Sequence, residues 1–332
     1  MEKYVDIKSP FTGGKVKEIS TIETHEFRKE TYDVHVRYYV CEDTGEKFTT
    51  TEQDEFLFND LYSQYRVKHG IPFQEDIKNI RLRYGLNYQQ ITKILGFGAN
   101  QYAQYEKGQI PSESNGKMIS AIQNRNIMLN ILKESKCEFA VQEYNKIVSI
   151  IEKSKEANEV DELQNIIYRN TKRSIYNGFG AMNINKLTEM IKFFISKEEC
   201  LFPTKLNKEL FYADFRHYQL HGISISGLNY KAIQYGPVPV HYDTIYDNIE
   251  GINKNIVMSH NNESSCLTCD NFNIEALSES EINTLNEVIK VIQPMTTEEI
   301  VNHSHKEDAW INYHNENKII PYTEAFSLKL FL

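Results

Sequence analysis

The chain has 332 residues, 40% of them apolar, a formal net charge of −9 and five cysteines. That length corresponds to about two domains at roughly 150 residues each, and the apolar share supplies ordinary buried cores, which excludes disorder throughout. The opening residues lack the charged-then-apolar layout of a secretory leader, no apolar run approaches the roughly 18 residues of a membrane span, and the scattered cysteines form no dense framework, so a soluble protein in the reducing cytoplasm is expected, with no membrane partner.

Charge is unevenly spread: residues 1 to 72 carry a net −4, residues 73 to 135 a net +3, residues 136 to 180 balance, and residues 181 to 332 carry a net −8. The one basic segment suits a polyanion, whereas the acidic C-terminal half disfavours one and suits a protein partner.

In chain order, Tyr32, Val34, Val36, Tyr38 and Val40 recur at a spacing of two, which predicts a strand with one buried face. Residues 55 to 67 predict an amphipathic helix burying Phe56, Leu57, Leu61 and Tyr65, ended by the break at Gly70, Ile71 and Pro72. Residues 86 to 108 then read as two short helices. Asn87 caps the first with Gln90 reaching back, Ile91, Ile94 and Leu95 form its buried stripe, and Gly96 ends it. The second starts near Ala99 or Asn100, turns Tyr102 and Tyr105 inward, and stops at Gly108. Between about 136 and 180 the mixed-charge stretches predict a solvated helical connector with a protease-sensitive link.

Three amphipathic patterns follow, so the C-terminal half is expected to be mostly helical. The first buries Leu187, Met190, Ile191 and Phe194. The second buries Leu206, Leu210, Phe211, Phe215 and Tyr218 before a stop at Gly222, and the third is capped by Ser278 with Glu281 ahead of Ile282, Leu285, Ile289 and Ile292.

Two short helices joined by a Gly-containing turn form the unit that lays its second helix in a major groove. Asn100 and Gln104 stand four apart on the outer face of that helix with Gln101 beside them, and these amides either grip adenine or simply solvate the face. Lys107, Lys93, Arg81 and Arg83 suit phosphate contacts, as do Tyr88 and Gln89 at the start of the first helix.

The run GFGANQYAQYEKGQIPS resembles the recognition-helix segment of MqsA-type antitoxins, a subgroup of the repressor-like helix-turn-helix proteins, over residues 75 to 125. The resemblance puts Asn100 at the family's base-reading Asn, while Gln104 replaces a common Arg and shifts the expected preference toward A·T pairs. It implies a homodimer on palindromic operator DNA in its own promoter. In that family a zinc ribbon with two Cys-x-x-Cys-Gly knuckles comes first. Here Ser9-Pro10-Phe11-Thr12-Gly13 and Cys41-Glu42-Asp43-Thr44-Gly45 match it with three thiols turned to hydroxyls, which do not ionise near neutral pH, so no metal is expected.

The stretches LNKELFYADFRHYQLHG, SISGLNYKAIQYGPVPVHYD and IVNHSHKEDAW resemble, in order and spacing, the Panacea (SocA-like, antitoxin-associated) domain over about residues 183 to 325. This implies direct neutralisation of a small protein toxin by binding. SocA-like members can also deliver a bound toxin to a protease, which makes a cytosolic protease a further implied partner. Contact points suggested by residue type are Tyr212, Asp214, Arg216 and His217 on one helix, and Tyr235, Pro237, Val238 and Tyr242 around a Gly-Pro turn; each of them could equally pack inside the protein.

Enzyme chemistry is not expected. Gly222-Ile-Ser-Ile-Ser misses the nucleophile-elbow pattern, Gly96-Phe-Gly lacks the third glycine and preceding strand of a dinucleotide loop, and Cys266 and Cys269 with His303 and His305 exceed finger spacing, which leaves two reduced thiols in a loop. The expected fold is α+β, mainly α. It comprises a degenerate zinc-ribbon-like β module at 1–52, a linker helix at 53–72, a five-helix-type helix-turn-helix domain at 73–135, a connector at 136–180 and a helical Panacea-like domain at 181–332. The expected function is that of an antitoxin without cofactor; the alternative is a proteolytic adaptor or phage-associated interaction protein with a vestigial DNA motif.

Overall fold

The computed structural model describes residues 2–154, 172–259, 262–270 and 272–331. Packing divides the chain into two compact units, Met1–Asp60 with Ile166–Leu332, and Leu61–Asn165. The connector residues 155–171, where the protease-sensitive link is expected, lie outside the described residues.

The first unit opens with β1 (Glu2–Val5), β2 (Val16–Phe27), β3 (Glu30–Cys41) and β4 (Lys47–Phe48), an antiparallel sheet in sequence order. Tyr32, Val34 and Val36 are buried as their spacing predicts, but further along β3 the buried residues are Tyr39 and Cys41 rather than Tyr38 and Val40. The β2–β3 register runs without a slip from Phe27↔Glu30 to Val16↔Cys41. The two ends of β3 therefore bury opposite faces of one sheet. At the second end the rings of Phe11 and Tyr39 lie 5.8 and 5.4 Å from Phe48.

This sheet packs with the C-terminal region, a grouping that chain order does not announce. The His35 ring stacks on Phe326 at 3.6 Å, Arg37 Nη2 donates to the Leu220 carbonyl at 3.1 Å, and Asn59 Nδ2 donates to the His221 carbonyl at 3.1 Å. Helix α1 (Thr51–His69) begins earlier than its apolar pattern suggests and buries Phe56, Leu61 and Tyr65, with Leu57 half-buried.

The second unit contains α2 (Gln74–Arg83), α3 (Tyr88–Leu95), α4 (Gln101–Glu106), α5 (Glu113–Ala121), α6 (Arg125–Glu134) and α7 (Val141–Lys153). One core joins Ile77, Tyr84, Ile91, Tyr102, Ile119, Met128 and Leu132 to Ile147 and Ile151 of α7. Residues 141–153 thus belong to the helical body and are not a solvated connector, because their own apolar stripe faces that core.

The C-terminal part of the first unit has α8 (Ile184–Ile195), α9 (Pro203–His221), α10 (Tyr242–Asn248), α11 (Glu279–Ile292), α12 (Thr297–Ser304) and α13 (Asp308–Ile311). Two hairpins, β5 (Tyr230–Ile233) with β6 (Gly236–Pro239) and β7 (Ile252–Ser259) with β8 (Asn262–Cys269), interrupt the helices. Helix α9 is the centre: α8, α11, α12, β6 and β8 all pack on it. Its five expected apolar residues are buried, each stabilising by about 1.5–3 kcal/mol, and Gly222 in the left-handed region (φ 72°) ends it. The Leu201–Leu267 bridge brings Cys200 beside Cys266, Cα atoms 5.3 Å apart, and the two form a disulfide. Cys266 and Cys269 therefore lie on a strand, with only Cys269 a free thiol of the two, rather than as two reduced thiols in a loop.

Candidate functional site

The Ser9-to-Gly13 and Cys41-to-Gly45 stretches fold into like turns. Gly13 and Gly45 have φ of 73° and 72°, and their amides donate to the carbonyls of Ser9 and Cys41, each at 2.8 Å. Thr12 Oγ1 lies 3.5 Å from Cys41 Sγ, and hydrogen bonds from the Ser9, Thr12 and Thr44 hydroxyls pull the Cys41 thiol down to about 6. Hydroxyls thus close the two turns around one sulfur. Among the described residues no group of three or more His, Cys, Asp or Glu side chains is gathered to hold a metal ion.

In the second unit the local signals act as expected. Asn87 Oδ1 accepts from the Gln90 amide at 2.9 Å, Gln90 Oε1 accepts from the Asn87 amide at 3.2 Å, and Gly96 (φ 64°) ends α3. Helix α4 is entered through Asn100, which is itself left-handed at φ 63°, a conformation Asn tolerates better than other side-chain-bearing residues. Buried Tyr102 anchors the helix by donating to the Ile77 carbonyl at 2.9 Å, and its phenol is pushed well above its usual range by burial.

The outer face of α4 presents exposed Asn100, Gln104 and Lys107, while Gln101 is half-buried and donates to Gln109 at 3.3 Å. Gln89 and Lys93 are exposed on α3, and Lys93 Nζ donates to the Glu138 carbonyl at 3.3 Å. Two of the residues expected to reach phosphate are engaged internally. Arg81 makes a two-pronged pair with Glu106 at 2.6 and 3.0 Å, donates to the Leu86 carbonyl at 3.0 Å and lies over the exposed Tyr88 ring, whose hydroxyl donates to Glu106 at 2.9 Å. Arg83 donates to the Gln123 carbonyl at 2.7 Å and to the Tyr84 hydroxyl at 3.0 Å. Both guanidinium groups therefore lock α2 against the rest of the unit. Glu106, which sequence reasoning passed over, organises this cluster; its signal was that it is the single acid between residues 77 and 112.

On α9, three of the expected contact residues face inward. Tyr212 is fully buried and donates to Glu307 at 3.1 Å. Asp214 is fully buried and accepts from the Ile225 and Ser226 amides at 2.9 and 2.8 Å, from the Ser226 hydroxyl, and from Tyr230 at 2.7 Å. Burial raises Asp214 to about 6 against those donors. His217 sits 2.9 Å from Thr284 and is held well below its ordinary pKa by burial. These side chains build the domain's interior in place of a contact surface. Arg216 is half-buried and pairs with Glu287 at 2.6 Å.

Around the β5–β6 turn the outcome is mixed. Tyr235 is 61% exposed, whereas Pro237 and Val238 are buried and Tyr242 is half-buried against Tyr246. The Pro237 carbonyl accepts from Lys208 Nζ at 2.9 Å, and burial lowers that lysine to about 7. Lys208 escaped the sequence reading because a lysine within an amphipathic pattern reads as solvated. No helix among the described residues is long and apolar enough to cross a membrane.

Residues 206–311 match the family model described as "Antitoxin SocA-like, Panacea domain". No curated protein and no solved structure matches the chain.

Proposed function

We propose that the chain is an antitoxin that neutralises a small protein toxin by direct binding and regulates its own operon as a dimer on operator DNA, with no enzymatic activity and no cofactor. The observation that carries this reading is the antitoxin-domain match at 206–311, which spans α9 and most of the elements packed on it. The acidic balance of residues 181 to 332 supports a polypeptide partner over a polyanion there. The exposed Tyr235, with Arg216 and Tyr242, supplies the contacts.

The DNA-binding half of the reading is supported by the net +3 of residues 73 to 135 and by exposed Asn100 and Gln104 on α4. Asn100, Gln104 and Gln101 take the role of base contacts, and Gln89, Lys93 and Lys107 that of backbone contacts. Tyr88, Arg81 and Arg83 act by holding α2, α3 and α4 in place. Co-expression with the small protein encoded beside the chain tests the first half: growth is restored if the reading holds, and arrest despite expression refutes it. A gel shift on the chain's own promoter tests the second, and absence of a retarded band removes the repressor role.

A further inference from the structure

Three of the five cysteines, Cys41, Cys137 and Cys269, are free, while Cys200 and Cys266 are joined. A chain that keeps most of its thiols reduced has the cysteine usage of a reducing compartment, where a disulfide characteristically opens and closes instead of acting as a permanent staple.

The backbone holds this pair at bonding distance on its own account. Leu201 and Leu267 form an antiparallel bridge, the Leu267 amide donates to the Leu201 carbonyl at 2.9 Å, and both leucines are buried. The flanking Cys200 and Cys266 have Cα atoms 5.3 Å apart, inside the span a disulfide requires, so the bond opens or closes without a rearrangement of the chain around the bridge. Access to the two sulfurs is unequal. Cys266 is 4% exposed, whereas Cys200 is half-buried and follows the exposed Ser196, Lys197 and Glu199. Cys269 does not compete for either sulfur: it lies three residues from Cys266 on β8 and so projects to the opposite face, its Sγ donates to the Lys192 carbonyl at 3.7 Å, and burial raises its thiol.

The bond sits where a hairpin meets the helices. Strands β7 and β8 form a two-stranded sheet; Asn253 to Ile256 of β7 are exposed, while β8 packs on α8 and α9 and buries Cys266 and Leu267. A two-stranded hairpin alone is marginally stable in water, so order in this one depends on the seam along β8.

We propose that Cys200 and Cys266 are a reversible thiol–disulfide switch that sets how firmly hairpin β7–β8 is held to α8 and α9. In opening, one thiolate of a dithiol reductant attacks the more accessible Cys200 sulfur, the S–S bond breaks, and Cys266 leaves as a thiolate that takes up the proton the reductant lost. The reductant's second thiolate then displaces the Cys200 sulfur from the mixed disulfide, which leaves two protein thiols and one oxidised reductant. Closing by oxidised glutathione runs the same exchange in reverse and releases two molecules of reduced glutathione. The switch does not depend on the antitoxin reading and stands or falls without it.

Hydrogen exchange of the full chain, read by mass spectrometry, tests the switch, with alkylation in denaturant to count thiols. After oxidised glutathione the chain is expected to show three alkylated cysteines and slow exchange across residues 262–269. Excess dithiothreitol, without denaturant, is expected to give five and to speed exchange there at least about tenfold while α11 is unchanged. Cys200→Ser is expected to exchange at the fast rate with or without dithiothreitol, and Cys269→Ser to respond as wild type. A bond that persists in dithiothreitol or fails to form with oxidised glutathione, equal exchange in the two states, or a response to dithiothreitol in Cys200→Ser overturns the switch.

Discussion

Lys208 offers a direct check on the interior of the α9-centred domain. Its amine is fully buried, donates to the Pro237 carbonyl at 2.9 Å, and is lowered by burial from 10.5 to about 7. Between these values the unfolded chain binds a proton that the native chain does not, so this group's contribution rises with pH across the window and falls as pH drops toward 7. Worked from the two pKa values, burying the amine costs about 4 kcal/mol at pH 7 and about 1 kcal/mol at pH 9.5. Lys208→Met removes that cost but leaves the Pro237 carbonyl without its donor, a loss of about 1–3 kcal/mol. The variant is therefore expected to be more stable than wild type by about 1–3 kcal/mol at pH 7, an advantage that shrinks by about 3 kcal/mol by pH 9.5. Urea unfolding followed by Trp310 emission reports this unit, since the chain has one tryptophan. Parallel stability–pH curves for the two proteins would refute the reasoning, because they would mean that the amine is solvated in the native state.

Further perturbations address the other sites. Asn100→Gly keeps the left-handed entry to α4 and removes the amide, so Tm is expected to hold while promoter DNA binding in a gel shift weakens about tenfold; undiminished binding would remove Asn100 as a base contact. Glu106→Gln strips the partner from Arg81, whose side chain is 11% exposed, and is expected to cost about 3 kcal/mol by circular-dichroism melting. Asp214→Ala leaves the Ile225 and Ser226 amides and the Tyr230 hydroxyl without their acceptor in a closed interior and is expected to cost about 3 kcal/mol or more; a loss under 1 kcal/mol in urea titration, by the same order of magnitude, would contradict the assigned role.

Local signals carried far in this sequence. The Asn87–Gln90 and Ser278–Glu281 caps, the stops at Gly96 and Gly222, and the apolar stripes of α8 and α9 stand where spacing places them, because each depends on residues within one or two helical turns. The antitoxin-like domain was legible for a related reason, its order of motifs along the chain. What escaped depends on partners distant in sequence. An amphipathic pattern presumes one solvated face, and α9 is enclosed all round, so Lys208, Tyr212, Asp214 and His217 are interior. Cys200 and Cys266 meet only through a bridge spanning 66 residues. The change of buried face along β3 reflects different neighbours at its two ends, which alternation alone cannot register.

The claim that matters most is that this chain binds and silences a small protein through the domain at 206–311. Mixing the purified full-length chain with the small protein encoded beside it, and following the heat of association, tests that most directly. Saturable binding at a fixed ratio that survives Asn100→Gly is the expected result. Titrations without measurable heat at several temperatures, with both proteins folded, would contradict it.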